Sequence, residues 1–239
     1  GPSGATRMSS ALTLLSSMAV KRLLADLMAM YRHTHADAAI ELTSIGGVDA
    51  ARRVAAGEPF DAVVLGADAL QALIASGHVR AGSRIDIARS GVAVAVQAGR
   101  ARPDLSSEAS VRQAVLAART LAYSTGPSGV ALARLFERWG ISAQIAARIV
   151  VPPPGVPVGT LVASGAVELG FQQLSELMHL PGIDVVGPLP AAIQIETIFA
   201  GGVLAASPRA EAAHALLAFM ASPQARQAKR DNGMVGAGE

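Results

Sequence analysis

Cysteine is absent from the 239-residue sequence, and aromatic residues make up only 3% of it. Without cysteine there is no disulfide framework, no thiolate metal site and no cysteine nucleophile. Charged residues are also few, at 16%, whereas hydrophobic residues reach 51%. This balance excludes a disordered chain, which needs low hydrophobicity and high charge.

Neither sign of charge is in clear excess. Lysine and arginine number 20, aspartate and glutamate 18, and the basic residues are scattered along the chain. Nucleic-acid-binding proteins usually carry a basic stripe, often with stacking rings. We therefore expect no nucleic-acid partner.

Motifs for cofactors and metals are missing too. The sequence has no Gly-x-Gly-x-x-Gly and no Walker lysine, so dinucleotide and nucleotide sites are unsupported. His33 and His35 lie at the end of a predicted helix, without a third ligand at zinc spacing. We therefore predict neither a cofactor nor a metal site.

No window of 18 uninterrupted apolar residues is present, so we expect no transmembrane helix. The chain starts Gly1-Pro2-Ser3-Gly4, with neither a charged n-region nor an apolar h-region. We interpret residues 1–8 as an expression remnant, and expect that any natural signal peptide has been removed.

Strands alternate with helices along most of the chain. Short apolar runs predict strands over 11–15, 40–43, 62–65, 91–97, 121–123, 148–151 and 166–171. Helical periodicity predicts helices over 18–31, 48–56, 67–76, 111–119, 129–139, 156–164 and 211–221. This order favours an α/β fold with parallel sheets covered on both faces.

Hydroxyl residues occupy three of the predicted strand-to-helix turns: Ser16-Ser17, Thr43-Ser44 and Ser124–Gly129. A helix N-terminus offers free N–H groups and a partial positive charge, and Ser and Thr add neutral donors. Converging turns of this kind would bind a small anion without a buried lysine. Simple helix capping, the preferred role of Ser and Thr at such positions, is the alternative.

Other charged residues give weaker signals. Arg89 precedes the predicted strand 91–97, where it could hold a carboxylate by a two-pronged contact or simply lie on the surface. Glu168 and Glu176 are too far apart in sequence to be called a catalytic pair.

Several segments together resemble a known family. They are Leu42–Val79, ARSGVAVAVQAG (Ala88–Gly99), YSTGPSGVALARLFERWGI (Tyr123–Ile141), VELGFQQLSEL (Val167–Leu177), Pro181–Ser207 and AHALLAFMASPQA (Ala213–Ala225). The chain resembles the type II periplasmic solute-binding proteins, in the branch that contains the molybdate-binding proteins of ABC transporters. The segments cover nearly the whole chain.

The resemblance implies two α/β lobes joined by two crossing strands, with the ligand held between them and hinge closure on binding. Lobe 1 would comprise residues 9–90 and 196–239, and lobe 2 residues 91–195. It also implies a periplasmic location, a membrane permease of an ABC transporter as partner, and a small anionic ligand. We expect a monomer.

The resemblance also implies ligand-binding residues. Donors from the first lobe would be Ser16, Ser17 and Ser44. Ser128 and Gly129 would donate from the second lobe, and Gln172 would reach in from the turn after the Val167 strand. Arg89 and Ser90 would flank the pocket at the crossing strand.

The sequence departs from the pattern of the molybdate-binding proteins at two places that bear on the ligand. Molybdate binders of the family commonly carry a tyrosine in the turn where this chain has Gly170-Phe171-Gln172-Gln173. The stretch Gly187–Thr197 is closer to a branch that includes a periplasmic aconitate isomerase, which acts on a tricarboxylate. Oxyanion and carboxylate ligands therefore both stay open.

Two functions follow from this. The first is a binding module that captures a small anion for an ABC-type transporter, without a catalytic residue. The second is an isomerase that moves a proton along a tricarboxylate skeleton, which requires a general base. Glu196 on the return strand is the candidate base, and His179 lies in a less well defined loop. A receptor for another class of ligand is a third possibility.

Overall fold

A computed structural model describes residues 11–153 and 155–239. The expression remnant expected at residues 1–8 lies outside the described residues. The chain divides into two compact units. Unit 1 holds the residues up to Arg89 together with Ile198–Glu239, and unit 2 holds Ser90–Thr197.

The strands are, in chain order, β1 (Leu12–Ser17), β2 (Ile40–Ile45), β3 (Ala62–Gly66), β4 (Ile85–Gln97), β5 (Leu121–Tyr123), β6 (Leu169–Gln173), β7 (Ile183–Pro188), β8 (Glu196–Val203) and β9 (Met234–Gly236). The helices are α1 (Lys21–Thr34), α2 (Gly47–Ala55), α3 (Ala67–Ala75), α4 (Glu108–Ala117), α5 (Pro127–Arg138), α6 (Ser142–Ile145), α7 (Val158–Ala163), α8 (Leu174–Leu177), α9 (Ala210–Met220) and α10 (Arg226–Asp231). The chain passes between the two units twice, once within β4 and once within β8.

Unit 1 is built on the strand order β2-β1-β3-β8. Strand β1 runs parallel to both β2 and β3, whereas β8 is antiparallel to β3. Both faces are covered, which explains the continuous apolar run in β1. Leu14 packs in a cluster with residues of α1 and α9, and Leu15 packs with residues of α2 and α3.

Unit 2 is built around β4, which pairs antiparallel with β6 and β7. Strand β6 in turn runs parallel to β5. One face packs against α4 and α5 in a cluster with Phe136 and Phe171, and the other packs against α7. Because β5 and β6 are parallel, their carboxyl ends meet at one edge of the sheet.

Parts of the secondary structure differ from the sequence-based prediction. The strand predicted over 148–151 is wrong, since this segment makes an isolated bridge between Leu121 and Ile149 and then meets Pro152-Pro153. Proline cannot donate to a strand ladder, so pairing stops there. Strand β4 begins at Ile85, six residues before the predicted start at Gly91.

The sequence pattern gave a weaker indication of the strands β7 and β8. Strands β7 and β8 carry Gly187, Gly201 and Gly202, and hydrophobic periodicity predicted neither strand, although the family resemblance placed Glu196 on a return strand. Among the residues described, no helix is long and apolar enough to cross a membrane.

Candidate functional site

Two serines face each other at the carboxyl ends of neighbouring strands in unit 1. The parallel register of β1 and β2 sets Ser16 opposite Ser44, and their hydroxyl oxygens are 2.8 Å apart. The Ser16 hydroxyl also donates to the main-chain oxygen of Ser17 at 3.0 Å. A hydroxyl has one hydrogen to give, so Ser44 is then the donor within the pair.

Ser17 is buried, and its hydroxyl has no hydrogen-bond partner. It precedes a short 3-10 helix, Met18–Val20, but its side chain does not cap that helix. The helix-capping alternative therefore does not account for Ser17. A buried hydroxyl without a partner is uncommon in folded proteins, so this atom is available to a ligand or to water.

Helix α2 begins beside this serine. A Cβ placed on Gly47 would be 3.6 Å from the Cβ of Ser17. The residue before the helix is Gly46, and no side chain caps the helix. The first-turn N–H groups of α2 therefore lie next to the unpaired hydroxyl, in the arrangement that favours an anion. Ser16, Ser17, Ser44 and the start of α2 are called the unit 1 donor edge below.

Unit 2 has a similar turn after β5. The hydroxyls of Ser124 and the buried Ser128 are 3.1 Å apart. Helix α5 starts at Pro127 with Gly126 before it, again without a side-chain cap. The predicted donors Ser128 and Gly129 therefore lie in the first turn of an uncapped helix.

Gly129 has a further, steric role in this turn. A Cβ at this position would be 1.6 Å from the main-chain oxygen of Ser124. No side chain fits there, so glycine is what allows the turn to fold back over the start of α5.

The end of β6 carries two buried glutamines whose side chains point to opposite faces, as successive residues of a strand do. Gln173 faces the same way as Phe171, towards α5, and its amide donates to the Thr197 hydroxyl at 2.9 Å. Gln172 faces the α7 side. The side-chain oxygens of both glutamines have no hydrogen-bond partner.

Ser90 also has an unpaired buried hydroxyl. It lies on β4 two residues before Val92, which pairs with Gln173. Side chains two apart share a face, so Ser90 and Gln173 lie on the same face of the sheet. Ser90, Ser124, Ser128 and Gln173 are called the unit 2 donor edge below.

The sequence analysis did not single out Ser124 or Gln173 as ligand-binding residues. The signal for Ser124 was present in the hydroxyl-rich turn. For Gln173 the signal was its neighbour Gln172. Successive side chains of a strand point to opposite faces, so only one of these two glutamines can face the side of α5.

Glu176 is a titratable side chain just after β6, on the Gln172 side of the sheet and not on the side of the unit 2 donor edge. It lies on α8, three residues after β6 ends, and is half-buried. Burial raises the pKa of its carboxyl to about 7, and a hydrogen bond with the Gln172 side chain offsets part of that rise. A neutral solution therefore contains both protonation states of Glu176.

Arg89 contacts the end of the chain. One of its guanidinium nitrogens donates to the main-chain oxygen of Glu239, and both residues belong to unit 1. A role for Arg89 in ligand binding stays a prediction. Glu196 lies at the start of β8, in unit 2, and is exposed.

The two histidines discussed as metal ligands lie at the end of α1. The His35 ring stacks on Tyr31 with 4.0 Å between ring centroids. In the described part of the chain, no group of three or more His, Asp or Glu side chains is arranged to hold a metal ion.

The fold and the polar strand ends define a class of protein. Two α/β units joined by two chain crossings form the type II periplasmic binding protein fold. A family model for bacterial extracellular solute-binding proteins matches residues 12–235. The chain belongs to this family.

Solved structures of similar fold include two proteins linked to molybdenum. The periplasmic molybdate-binding protein of Azotobacter vinelandii aligns with a TM-score of 0.77 and 20% identity, covering 94% of this chain and 98% of that one. The substrate-binding domain of a molybdenum ABC transporter from Clostridium difficile aligns with a TM-score of 0.74 and 14% identity, covering 95% and 99%. At these identities the likeness establishes the fold.

A sulfate-binding protein and an isomerase complete the comparison. The sulfate-binding protein SubI of Mycobacterium tuberculosis H37Rv has a TM-score of 0.77 and 15% identity, covering 94% of this chain and 86% of that one. An aconitate isomerase from a Pseudomonas species is 42% identical over 183 residues, which are 76% of this chain and 70% of that protein.

Proposed function

We propose that this protein is an extracytoplasmic solute-binding protein that captures a small anion for an ABC-type transporter. The observation that carries the proposal is the unit 1 donor edge, where the unpaired Ser17 hydroxyl lies beside the uncapped start of α2. Neutral hydroxyl and N–H donors bind anions well at helix N-termini. The unit 2 donor edge supplies a second set of donors of the same kind.

A periplasmic location and a permease partner belong to this proposal. Both are supported by membership of an extracellular solute-binding family. Ligand-binding roles for Ser16, Ser17, Ser44, Arg89, Ser90, Ser128, Gly129 and Gln172, and a monomeric state, are part of it as well.

Within the class of anions, the surroundings of unit 1's donors favour an organic carboxylate. Met18 follows Ser17 directly and is 43% exposed, and Val48 in the first turn of α2 is 64% exposed. Large exposed apolar side chains beside anion donors suit a ligand with a hydrocarbon skeleton better than a bare oxyanion.

A thermal-shift screen against both ligand classes tests the proposal. Molybdate, tungstate and sulfate form one arm, and citrate, cis-aconitate, trans-aconitate and succinate the other. A ligand at about a thousand times its Kd adds roughly 4 kcal/mol of stability, which raises Tm by several degrees. A shift with the carboxylates supports the proposal in full, and a shift confined to the oxyanions removes the carboxylate preference. If neither the oxyanions nor the carboxylates raise Tm, that result contradicts anion capture.

Isomerisation of a tricarboxylate is a second candidate function. The observation that favours it is the 42% identity, over 183 residues, with an aconitate isomerase. Incubating the protein with cis-aconitate and following trans-aconitate by chromatography tests this candidate. Receptor function predicts binding without conversion, whereas isomerase function predicts both.

A further inference from the structure

One buried side chain at the unit 2 donor edge offers an acceptor rather than a donor. Gln173 ends β6 and is 5% exposed, and its side-chain oxygen has no hydrogen-bond partner. Its amide nitrogen donates to the Thr197 hydroxyl at 2.9 Å, and this bond fixes the orientation of the amide. An amide oxygen can only accept, so the group that meets it must carry a hydrogen.

The Gln173 side chain lies on the face of the sheet that carries the start of α5. Strands β5 and β6 are parallel, with Tyr123 paired to Phe171, and β5 leads directly into the turn with Ser124. Phe171 shares its face with Gln173 and packs with Phe136 of α5. The unpaired oxygen is therefore on the side where the uncapped first turn of α5 offers its N–H groups.

A second unpaired polar atom lies on the same face. The Ser90 hydroxyl is 1% exposed and has no hydrogen-bond partner. Val92 is the residue of β4 that pairs with Gln173, so Ser90 is the diagonal neighbour of Gln173, with the Cβ atoms about 7–8 Å apart. The two side chains do not bond to each other, so each keeps its hydrogen-bonding capacity for a third group placed between them.

A hydroxyl group matches this pair of atoms. It donates its one hydrogen to the Gln173 oxygen and accepts from the Ser90 hydroxyl through a lone pair. A carboxylate oxygen has no hydrogen, and would meet the Gln173 oxygen as acceptor against acceptor. An ammonium group could donate, but strands β5 and β6, with the sequences LAY and LGFQQ, bring no acidic side chain to balance its charge.

We propose that Gln173 and Ser90 form a subsite that recognises a hydroxyl group, and that the ligand of this protein is a hydroxycarboxylate. The inference rests on the proposed function and narrows its ligand class. Carboxylate groups of the ligand take the N–H and hydroxyl donors, and the hydroxyl on its carbon skeleton takes the Gln173 oxygen. Thr197 is a positioning residue, because its hydroxyl orients the Gln173 amide.

The test uses pairs of ligands that differ only by the hydroxyl. Citrate is compared with tricarballylate, and malate with succinate, by calorimetry on the wild-type protein at about pH 8, where every ligand carboxyl is ionised. Without the ligand hydroxyl, the Gln173 oxygen loses its partner. We therefore expect the Kd of each plain carboxylate to be about tenfold or more above that of its hydroxylated counterpart. This comparison needs no variant, so it does not depend on the folding of one.

Variants assign the effect to the subsite. Gln173→Met keeps the length of the side chain without its polar atoms, so the preference for citrate over tricarballylate should fall to within about threefold while the Kd for tricarballylate changes little. Ser90→Ala should lower the preference part of the way. Gln144→Met is the matched control, because Gln144 is an exposed glutamine of unit 2 on α6, and it should keep the wild-type preference. Melting temperatures report whether each variant is folded, and Ser90→Ala carries the test if Gln173→Met is not.

The outcomes keep this inference apart from the proposed function. Wild-type protein that binds the hydroxylated member of each pair no more tightly than the plain one, or binds oxyanions only, overturns the hydroxyl subsite and leaves anion capture standing. A citrate preference that persists unchanged in folded Gln173→Met overturns the assignment of Gln173, and one that persists in Ser90→Ala overturns that of Ser90. Wild-type protein that binds neither carboxylates nor oxyanions overturns both the inference and the proposed function.

Discussion

The hydroxyl oxygens of Ser16 and Ser44 lie 2.8 Å apart across two neighbouring parallel strands. Each serine is near the carboxyl end of its strand, so the contact depends on strand register and not on closeness in sequence. Beside them are the unpaired Ser17 hydroxyl and the first turn of α2. The pair therefore fixes the position of the donors that we propose for the anion.

Replacing Ser17 by alanine should weaken anion binding without unfolding unit 1, because the buried Ser17 hydroxyl has no hydrogen-bond partner within the protein. One hydrogen bond to a charged group contributes roughly 1.5–3 kcal/mol, so the Kd should rise about tenfold or more. Calorimetry with the carboxylate that gives the largest thermal shift measures this. Ser76→Ala is the control, because its hydroxyl donates to Leu73 at the end of α3 and lies outside the donor edge. Equal affinity in both variants would remove Ser17 from the site.

Gly129→Ala should destabilise unit 2. The new Cβ would be placed 1.6 Å from the Ser124 carbonyl oxygen, so the turn or the start of α5 must move. Overpacking of this kind typically costs about 1–3 kcal/mol, which urea unfolding would detect. Gly126→Ala, where the nearest atom is 3.8 Å away, should cost less than about 1 kcal/mol. Similar losses in both variants would contradict the steric role of Gly129.

Much of unit 1 could be predicted from sequence because its signals are local. Short apolar runs bounded by serine or glycine indicated the strands β1, β2 and β3, and β1 then proved to continue through Ser16 and Ser17. The serines after the predicted strands 11–15 and 40–43 were expected to meet, because the carboxyl ends of parallel strands lie at one edge of a sheet. The resemblance of nearly the whole chain to type II binding proteins gave the fold, and the family match confirms it.

Contacts between distant residues could not be predicted in the same way. The Gln173 amide finds its partner Thr197 24 residues later, and the Asp61 carboxylate binds Ser207 at a separation of 146 residues. The sequence analysis considered Glu176 only as a partner of Glu168, and rejected the pair because the two residues are too far apart in sequence. Its raised pKa comes from burial by α7 and α8, which are too short to give a clear helical period.

Asp61→Ala should cost unit 1 more stability than any exposed acidic residue does. The buried Asp61 carboxylate accepts hydrogen bonds from the Thr13 N–H at 2.9 Å and from the Ser207 hydroxyl at 2.7 Å, and pairs with Arg209 at 3.5 Å. Its loss leaves several donors without an acceptor, at a cost of about 3 kcal/mol.

Denaturant unfolding of Asp61→Ala and of Asp86→Ala tests this difference. Asp86 forms an ion pair with Arg84 at 2.9 Å on the surface, and exposed pairs contribute about 0–1 kcal/mol. Comparable losses in the two variants would show that the Asp61 contacts hold β1, β3 and the segment before α9 together only weakly.

Glu176 should make the protein less stable as pH rises towards neutrality. Its pKa is about 7 in the folded protein, against an ordinary value of 4.5, so the folded state holds this proton more tightly than the unfolded state. Stability therefore falls as pH rises from about 4.5, and the loss is complete above about 7. Each pH unit within this window removes at most about 1.4 kcal/mol, and partial solvent exposure of the side chain reduces that figure.

Urea unfolding between pH 4.5 and 8 gives the measurement, with Glu176→Gln beside Glu168→Gln. The glutamine at 176 stays neutral at every pH, so this variant should lose the part of the pH dependence that belongs to Glu176 and exceed the wild-type stability at pH 8. Glu168→Gln should follow the wild-type curve across the window, because Glu168 is exposed. Parallel curves for the wild type and Glu176→Gln would mean that the folded protein does not raise this pKa.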